Sequence, residues 1–112
     1  MDTKGLLSQR VKVVLRRFHP QTPREIIRGI VTDVDETGLR VSGRRFQEHP
    51  DLETAVATER PVEADTKVYW IPHNSIRYSE IIAPGSASEK LDNEIQQHKV
   101  FTPQELHRAT ES

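Results

Sequence analysis

The chain has 112 residues with no cysteine, 34% hydrophobic and 29% charged residues, and a formal net charge of −1. A single domain of this length buries roughly two thirds of its unfolded surface, and the low apolar fraction predicts that part of the chain stays outside the core. The lack of cysteine excludes disulfides and thiolate metal sites, and no apolar run approaches the roughly 20 residues that span a bilayer. We therefore expect a cytoplasmic protein with no signal peptide and no membrane contact.

Charge is distributed unevenly along the chain. Residues 1–46 contain ten lysines and arginines against five acidic residues, whereas residues 47–112 contain six against twelve. A basic half followed by an acidic half is typical of an anion-binding face with an acidic tail that screens it, and also of an ordinary mixed surface. Composition alone leaves both interpretations open.

The first half of the chain has the alternating pattern of antiparallel strands. A short helix is expected in the N-terminal cap segment, residues 1–10, followed by a first strand over 11–18. Residues 24–35 and 39–46 predict a second and a third strand, and Gly29 allows the second strand to bend sharply. Turn residues separate these strands: Pro20 and Pro23 in the first turn, and Asp35 to Gly38 in the second. Two arginines near the end of the first strand are interpreted as solvated strand ends, Arg16 and Arg17.

The middle of the chain contains an insertion and two further strands. Residues 47–66 are acidic and show no sustained period, so we interpret them as an insertion without strands of its own. Residues 67–82 hold a fourth and a fifth strand that meet at a tight bend over 72–75, where Pro72 interrupts the apolar run.

The tail, residues 83–112, is acidic and has few apolar anchors. A helix is expected from Ser88, because Leu91 and Ile95 would share one face, and Thr102 heads a second helix-start pattern. Short helices are marginal alone. We therefore predict a tail that is partly helical or mobile, or that docks on a protein partner.

Two short stretches resemble the motifs of Sm-like proteins, the family of LSm and Hfq-type small β-barrels. Residues 29–35 have the sequence Gly-Ile-Val-Thr-Asp-Val-Asp and resemble the first Sm motif, with a glycine in a bent strand and an aspartate at the next turn. Residues 71–76 have the sequence Ile-Pro-His-Asn-Ser-Ile and resemble the second motif, where the last two strands meet. The turn after Asp35 lacks the asparagine of eukaryotic and archaeal Sm proteins, and His73-Asn74 replaces the common Arg-Gly pair.

The resemblance implies a mainly β fold, a five-stranded, strongly bent antiparallel small barrel of the Sm-like or SH3-like type over residues 11–82. It also implies a homo-oligomer, a ring in the family, that binds single-stranded RNA. The candidate RNA-binding residues are Asp35, Thr37, Arg44, Arg45, Tyr69, His73, Asn74 and Arg77. The candidate oligomer-interface residues are Val68, Tyr69, Trp70, Ile71, Ile76, Tyr78 and Ile81.

Structural roles compete with these assignments. For Tyr69 and Trp70, packing in the core or at an interface is the alternative to base stacking. For His73 and Asn74, a purely structural turn is the alternative to ligand contact. An unpaired strand edge that carries aromatic residues is a template for pairing with another chain. The insertion or the tail would cover that edge if the chain is a monomer.

Catalysis has little support in the sequence. The five histidines are scattered without an i, i+4 pair on a helix, and there is no glycine-rich phosphate loop. We predict a protein that is not an enzyme and that holds no cofactor or metal. Two functions remain: an Sm-like RNA-binding protein, and a protein-interaction or scaffold barrel whose acidic insertion and tail engage another protein.

Overall fold

The computed structural model describes residues 4–50 and 57–98 and shows a mainly β protein with one short helix. The elements are β1 (Arg10–Leu15), β2 (Arg24–Val34), β3 (Gly38–Pro50), β4 (Ala57–Pro61), β5 (Lys67–Pro72), β6 (Ile76–Ile81) and α1 (Ala87–Gln96). Short 3-10 turns lie at Lys4–Leu6 and His73–Ser75. The N-terminal helix prediction is thus not confirmed beyond a single 3-10 turn.

All six strands belong to one antiparallel sheet. Its order is β4-β3-β2-β1-β6, and β5 pairs with β3 beyond the end of β4. In the register, β3 pairs with β5 from Gly38 to Gly43 and with β4 from Phe46 to Pro50. Within the described residues β5 pairs only with β3 and β6 only with β1, so the sheet is open and closure into a barrel is not confirmed.

Alternating apolar residues build the core on one face, which we call the inner face. Its buried residues are Leu6, Val11, Val13, Ile27, Val31, Leu39, Val41, Ile71 and Ile76. Strands place every second side chain on the same face, so the alternation seen in the sequence of β1, β2 and β3 becomes this continuous cluster. Leu6 of the first 3-10 turn joins it.

The opposite, outer face of the sheet is covered in part by α1. Ile95 packs there against Val14, Ile26 and Phe46, and all four side chains are buried. The Ser86 hydroxyl caps the helix by accepting a hydrogen bond from the Glu89 backbone N–H. The predicted helix around Leu91 and Ile95 is confirmed, although only Ile95 is buried and Leu91 is 53% exposed.

Two glycines lie opposite each other on β2 and β3, where an added side chain would meet the backbone of the neighbouring strand. Gly29 pairs with Gly43, and a Cβ added to Gly29 would lie 2.2 Å from the Ser42 carbonyl oxygen. A side chain at Gly43 would lie 2.0 Å from the Arg28 carbonyl oxygen. Only glycine fits at either position, which explains the glycine in mid-strand that the sequence showed.

The insertion prediction differs from the structure in two respects. The third strand does not end at Phe46 but continues to Pro50, and Ala57–Pro61 pairs with it, which gives six strands rather than five. The sequence of this hairpin lacks apolar alternation because its side chains are mostly polar or charged on both faces. The second helix-start pattern, at Thr102, lies outside the described residues.

Candidate nucleic-acid interface

The bend between β5 and β6 connects two loops that are far apart in the sequence. On one side, the His73 backbone N–H donates a hydrogen bond to the Thr37 carbonyl in the turn between β2 and β3 (2.9 Å). On the other side, Arg16 directly follows β1, and its backbone N–H donates a hydrogen bond to the Ser75 carbonyl (2.9 Å). The bend therefore lies between the β2–β3 turn and the loop that follows β1.

Three of the predicted RNA-binding residues meet at the β2–β3 turn. The Asp35 carboxylate accepts hydrogen bonds from the Thr37 backbone N–H (2.7 Å), the Thr37 hydroxyl (2.7 Å) and the Gly38 N–H (3.2 Å). The Thr37 hydroxyl above all, and then these backbone donors, hold the pKa of Asp35 below its ordinary value. The His73 ring Nε2 donates to the Asp35 carbonyl (2.9 Å). These groups stabilise the turn, and Asn74 is exposed beside them.

A cleft lined by arginines lies on the other side of the bend. Arg16, Arg17, Pro20 and Arg77 surround a volume of about 530 Å³, which we call the basic cleft. All four residues are exposed. The sequence predicted a binding role for Arg77, but the neighbouring Arg16 and Arg17 were interpreted as strand ends.

The arginines of the basic cleft contact carbonyl oxygens rather than carboxylates. Arg16 Nε donates to the Ile76 carbonyl (3.3 Å), and Arg17 Nη1 donates to the Pro20 carbonyl (3.4 Å). Among residues 4–50 and 57–98, no carboxylate forms an ion pair with Arg16, Arg17 or Arg77. Their positive charge faces solvent at one end of the sheet.

An exposed aromatic ring adjoins the basic cleft. Phe18 is 89% exposed and lines a second cleft of about 470 Å³ that also includes Arg16 and Arg17. His19 lies beside it on the same loop. An apolar ring held in water next to two arginines is what a stacking platform for bases requires.

No family model, curated protein or solved structure matches this chain. In the part of the chain that the structure describes, no helix is long and apolar enough to cross a membrane.

Three of the predicted RNA-binding residues lie away from the basic cleft. Arg44 donates to the Gln96 carbonyl at the end of α1 (2.9 Å), and Arg45 forms an ion pair with Glu25 (3.6 Å). Tyr69 is partly buried against the inner-face core, and burial, followed by the charge of Glu63, raises the pKa of its hydroxyl.

Six of the seven predicted interface residues, all but the partly buried Tyr69, divide into two groups. Ile71 and Ile76 are buried in the core of the single chain, so their side chains have an intramolecular role. Four others are substantially exposed, with exposed fractions between 39% and 63%: Val68, Trp70, Tyr78 and Ile81. Trp70 also lies under the guanidinium of Arg40, 5.9 Å from the ring centroid.

The basic cleft and the ring beside it were missed because their residues come from two distant places in the sequence. Arg16 and Arg17 follow β1, Phe18 opens the proline-rich loop, and Arg77 is in β6, 60 positions after Arg17. Only the pairing of β1 with β6 brings them together. One signal was available, since an aromatic residue flanked by two arginines and a histidine is unusual for a turn.

Proposed function

We propose that this chain binds single-stranded RNA at the basic cleft. The observation that carries the proposal is the group of three exposed arginines that pair with no carboxylate among the described residues, beside the bend that the resemblance to Sm-like proteins singled out. Unpaired guanidinium groups bind phosphate oxygens through paired N–H donors. The cleft is accordingly suited to a negatively charged backbone.

Phe18 supplies the second contact that single strands need. A base stacked on an aromatic ring contributes about 1–3 kcal/mol and is tolerant of sequence. In the proposed mode, Arg16, Arg17 and Arg77 contact successive phosphates while Phe18 receives one base. Asp35, Thr37 and His73 act by holding the adjacent turn in place.

The test uses a fluorescein-labelled U15 oligonucleotide, with binding followed by fluorescence anisotropy at about 50 mM salt. Arg17→Glu and Arg77→Glu are each expected to weaken binding about tenfold or more, because a phosphate contact becomes a repulsion. Arg40→Glu is the matched control, since it makes the same charge change at an exposed position on the outer face.

Two results would contradict the proposal. Wild-type protein that leaves the oligonucleotide free at this salt concentration does not have the function. Equal weakening by Arg40→Glu would show that binding follows the net charge of the molecule and not the basic cleft.

We further propose that the sheet has the strong bend of a small barrel and that copies of the chain associate through the free edges of β5 and β6. In the described residues each of these strands has one edge without a strand partner, and each carries exposed apolar side chains, Val68 and Trp70 on β5 and Ile81 on β6. Exposed edges with apolar residues favour pairing between chains. Light scattering is expected to give a multiple of the 12.9 kDa chain mass, and Val68→Lys to reduce it; a monomer would contradict association.

A protein-interaction role is the second candidate. Three exposed apolar residues lie close together on the outer face, Ile30, Val68 and Trp70, because Ile30 pairs with Ser42 and Ser42 with Val68. Contiguous exposed apolar residues often mark a protein contact. This candidate gains if the U15 titration shows no binding while Trp70→Ala, which leaves the basic cleft intact, abolishes association in the light-scattering experiment.

A further inference from the structure

Three cations stand in one row across the outer face. Lys12 on β1 pairs with Arg28 on β2, and Arg28 pairs with Arg44 on β3. Like charges directly opposite each other on neighbouring strands destabilise a sheet. Anions are therefore needed above the row to balance its charge. Arg10, at the next outward-facing position along β1, adds a fourth positive charge to this face.

The anion is supplied by α1. The Asp92 carboxylate is 1% exposed. Its Oδ2 accepts hydrogen bonds from Arg10 Nε (2.7 Å) and Arg10 Nη2, and its Oδ1 accepts one from Arg28 Nη1 (2.8 Å). Glu59 of β4 binds the remaining side of the Arg28 guanidinium, with Nε 2.5 Å from Oε1. Two guanidinium groups from neighbouring strands, Arg10 through two nitrogens and Arg28 through one, thus converge on one carboxylate of the helix.

Contacts with arginine side chains, more than apolar packing, hold α1 on the sheet. Ile95 is its only buried apolar side chain, and Leu91 points to solvent. Arg44 donates to the Gln96 carbonyl at the end of the helix, where the helix dipole is negative. A helix of ten residues is marginal without its contacts, and the connection from β6 includes Gly85 with a positive φ of 77°. The helix can therefore leave the sheet without breaking the pairing of β1 with β6.

We propose that the sheet face beneath α1 is a second phosphate-binding surface, which Asp92 occupies as an internal substitute for a phosphate of single-stranded RNA. Two converging guanidinium groups that bind two carboxylate oxygens also fit two oxygens of a phosphodiester. Displacement of α1 uncovers Lys12, Arg28 and Arg44 together with the Phe46 ring, which lies 5.6 Å from the Arg44 guanidinium. The proposal rests on the proposed function, because it takes RNA as the ligand, but it uses a different face.

The test compares two substitutions on the same helix in the full chain, each of which replaces a carboxylate with an uncharged amide. Asp92→Asn removes the carboxylate between Arg10 and Arg28, whereas Glu94→Gln removes an equal charge from an exposed side chain that forms no ion pair within the described residues. We expect Asp92→Asn to bind U15 about tenfold more tightly than wild type at about 50 mM salt, and Glu94→Gln to bind within about twofold of wild type.

The same substitutions are then made together with Arg17→Glu and Arg77→Glu, which disable the basic cleft. If Asp92→Asn restores U15 binding in this background, the face beneath α1 binds RNA whether or not the basic cleft does. If wild type binds U15 through the cleft and Asp92→Asn binds no more tightly than Glu94→Gln, the proposed function stands and this inference is overturned.

Hydrogen exchange of the wild-type chain gives a readout that does not depend on the stability of a variant. Saturating U15 is expected to remove the protection of amides in residues 87–96 while the amides of β1 and β2 keep theirs. Unchanged or increased protection of α1 in the presence of bound U15 would overturn the inference, since the helix would then remain on the sheet. This measurement decides the matter if Asp92→Asn fails to fold.

Discussion

Two groups of arginines in this molecule have opposite surroundings. Arg10 and Arg28 bind carboxylates beneath α1, and Arg28 is 3% exposed. The arginines of the basic cleft are exposed, and the side chains of Arg16 and Arg17 donate to backbone carbonyls. A buried cation must be matched by anions for the chain to fold, whereas an exposed unmatched cation costs little stability and stays available for a ligand. The first group is therefore needed for the chain to fold, whereas the second is accessible to a ligand without any movement of the helix.

The largest expected effect is a difference in unfolding free energy between a substitution in the first group and one in the second. Arg28→Met keeps much of the side-chain volume but leaves Glu59 and Asp92 short of a buried partner, which typically costs about 3–5 kcal/mol of unfolding free energy. Arg77→Met is the control and should change it by no more than about 0.5 kcal/mol. Urea unfolding measures both, and equal losses would mean that burial does not separate the two groups.

The next effect concerns the aromatic ring beside the exposed group. Phe18→Ala should weaken U15 binding by about 1–3 kcal/mol, because one stacked base loses its platform. Its unfolding free energy should hardly change, since the ring is 89% exposed. Anisotropy titrations and urea unfolding test the two halves of this prediction, and Phe18→Trp, which keeps a flat ring, should retain binding. Full-strength binding by Phe18→Ala would remove stacking from the proposed mode.

A smaller effect should appear in the salt dependence of binding. Each phosphate contact to single-stranded nucleic acid contributes about 0.7 to the slope of log affinity against log salt concentration. Arg77→Gln should therefore lower the magnitude of that slope by about 0.7, while Arg40→Gln should leave it unchanged. Titrations between about 50 and 300 mM salt give the slopes, and identical slopes for wild type and Arg77→Gln would show that Arg77 contacts no phosphate.

The smallest effect tests a charged group that has neither arginines nor burial around it. Asp35 receives neutral donors, chiefly the Thr37 hydroxyl, and its pKa lies below the ordinary 3.8. Its contribution to stability is thus complete above the unfolded-state pKa and is lost as pH falls through the lower folded-state value. Thr37→Val should raise the pKa of Asp35 towards 3.8, as measured by NMR titration of its carboxyl carbon. Thr32→Val is the control and should leave that pKa unchanged.

The sequence predicted the parts of the fold that depend on local pattern. Strands with apolar alternation, such as β1 and β2, were found because one face of each meets the core. The hairpin of β3 with β4 was missed because ionic and backbone contacts hold it, so that its sequence has no apolar period. The helix at Leu91 and Ile95 was expected, but its place on the sheet was not.

The candidate site was less predictable than the fold, because it depends on contacts between distant residues. Arg77 was predicted as a candidate from its place beside the bend, whereas Arg16 and Arg17 become binding candidates only once β1 and β6 pair. Arg44 was assigned to RNA, yet the end of α1 occupies it. A cation in a sequence does not reveal whether a carboxylate elsewhere in the chain already binds it.

The β3–β4 hairpin and α1 depend on each other through Glu59. Its carboxylate binds Arg28, which in turn binds Asp92, and its carbonyl lies 2.7 Å from Nδ1 of His98 just beyond the helix. Without α1 the β3–β4 hairpin would lose these contacts, and without the hairpin α1 would lose them as well. In evolutionary terms, the two should therefore be inherited as a unit, and a homologue with a short β3 and no β4 should also lack the helix and carry fewer arginines on its outer face.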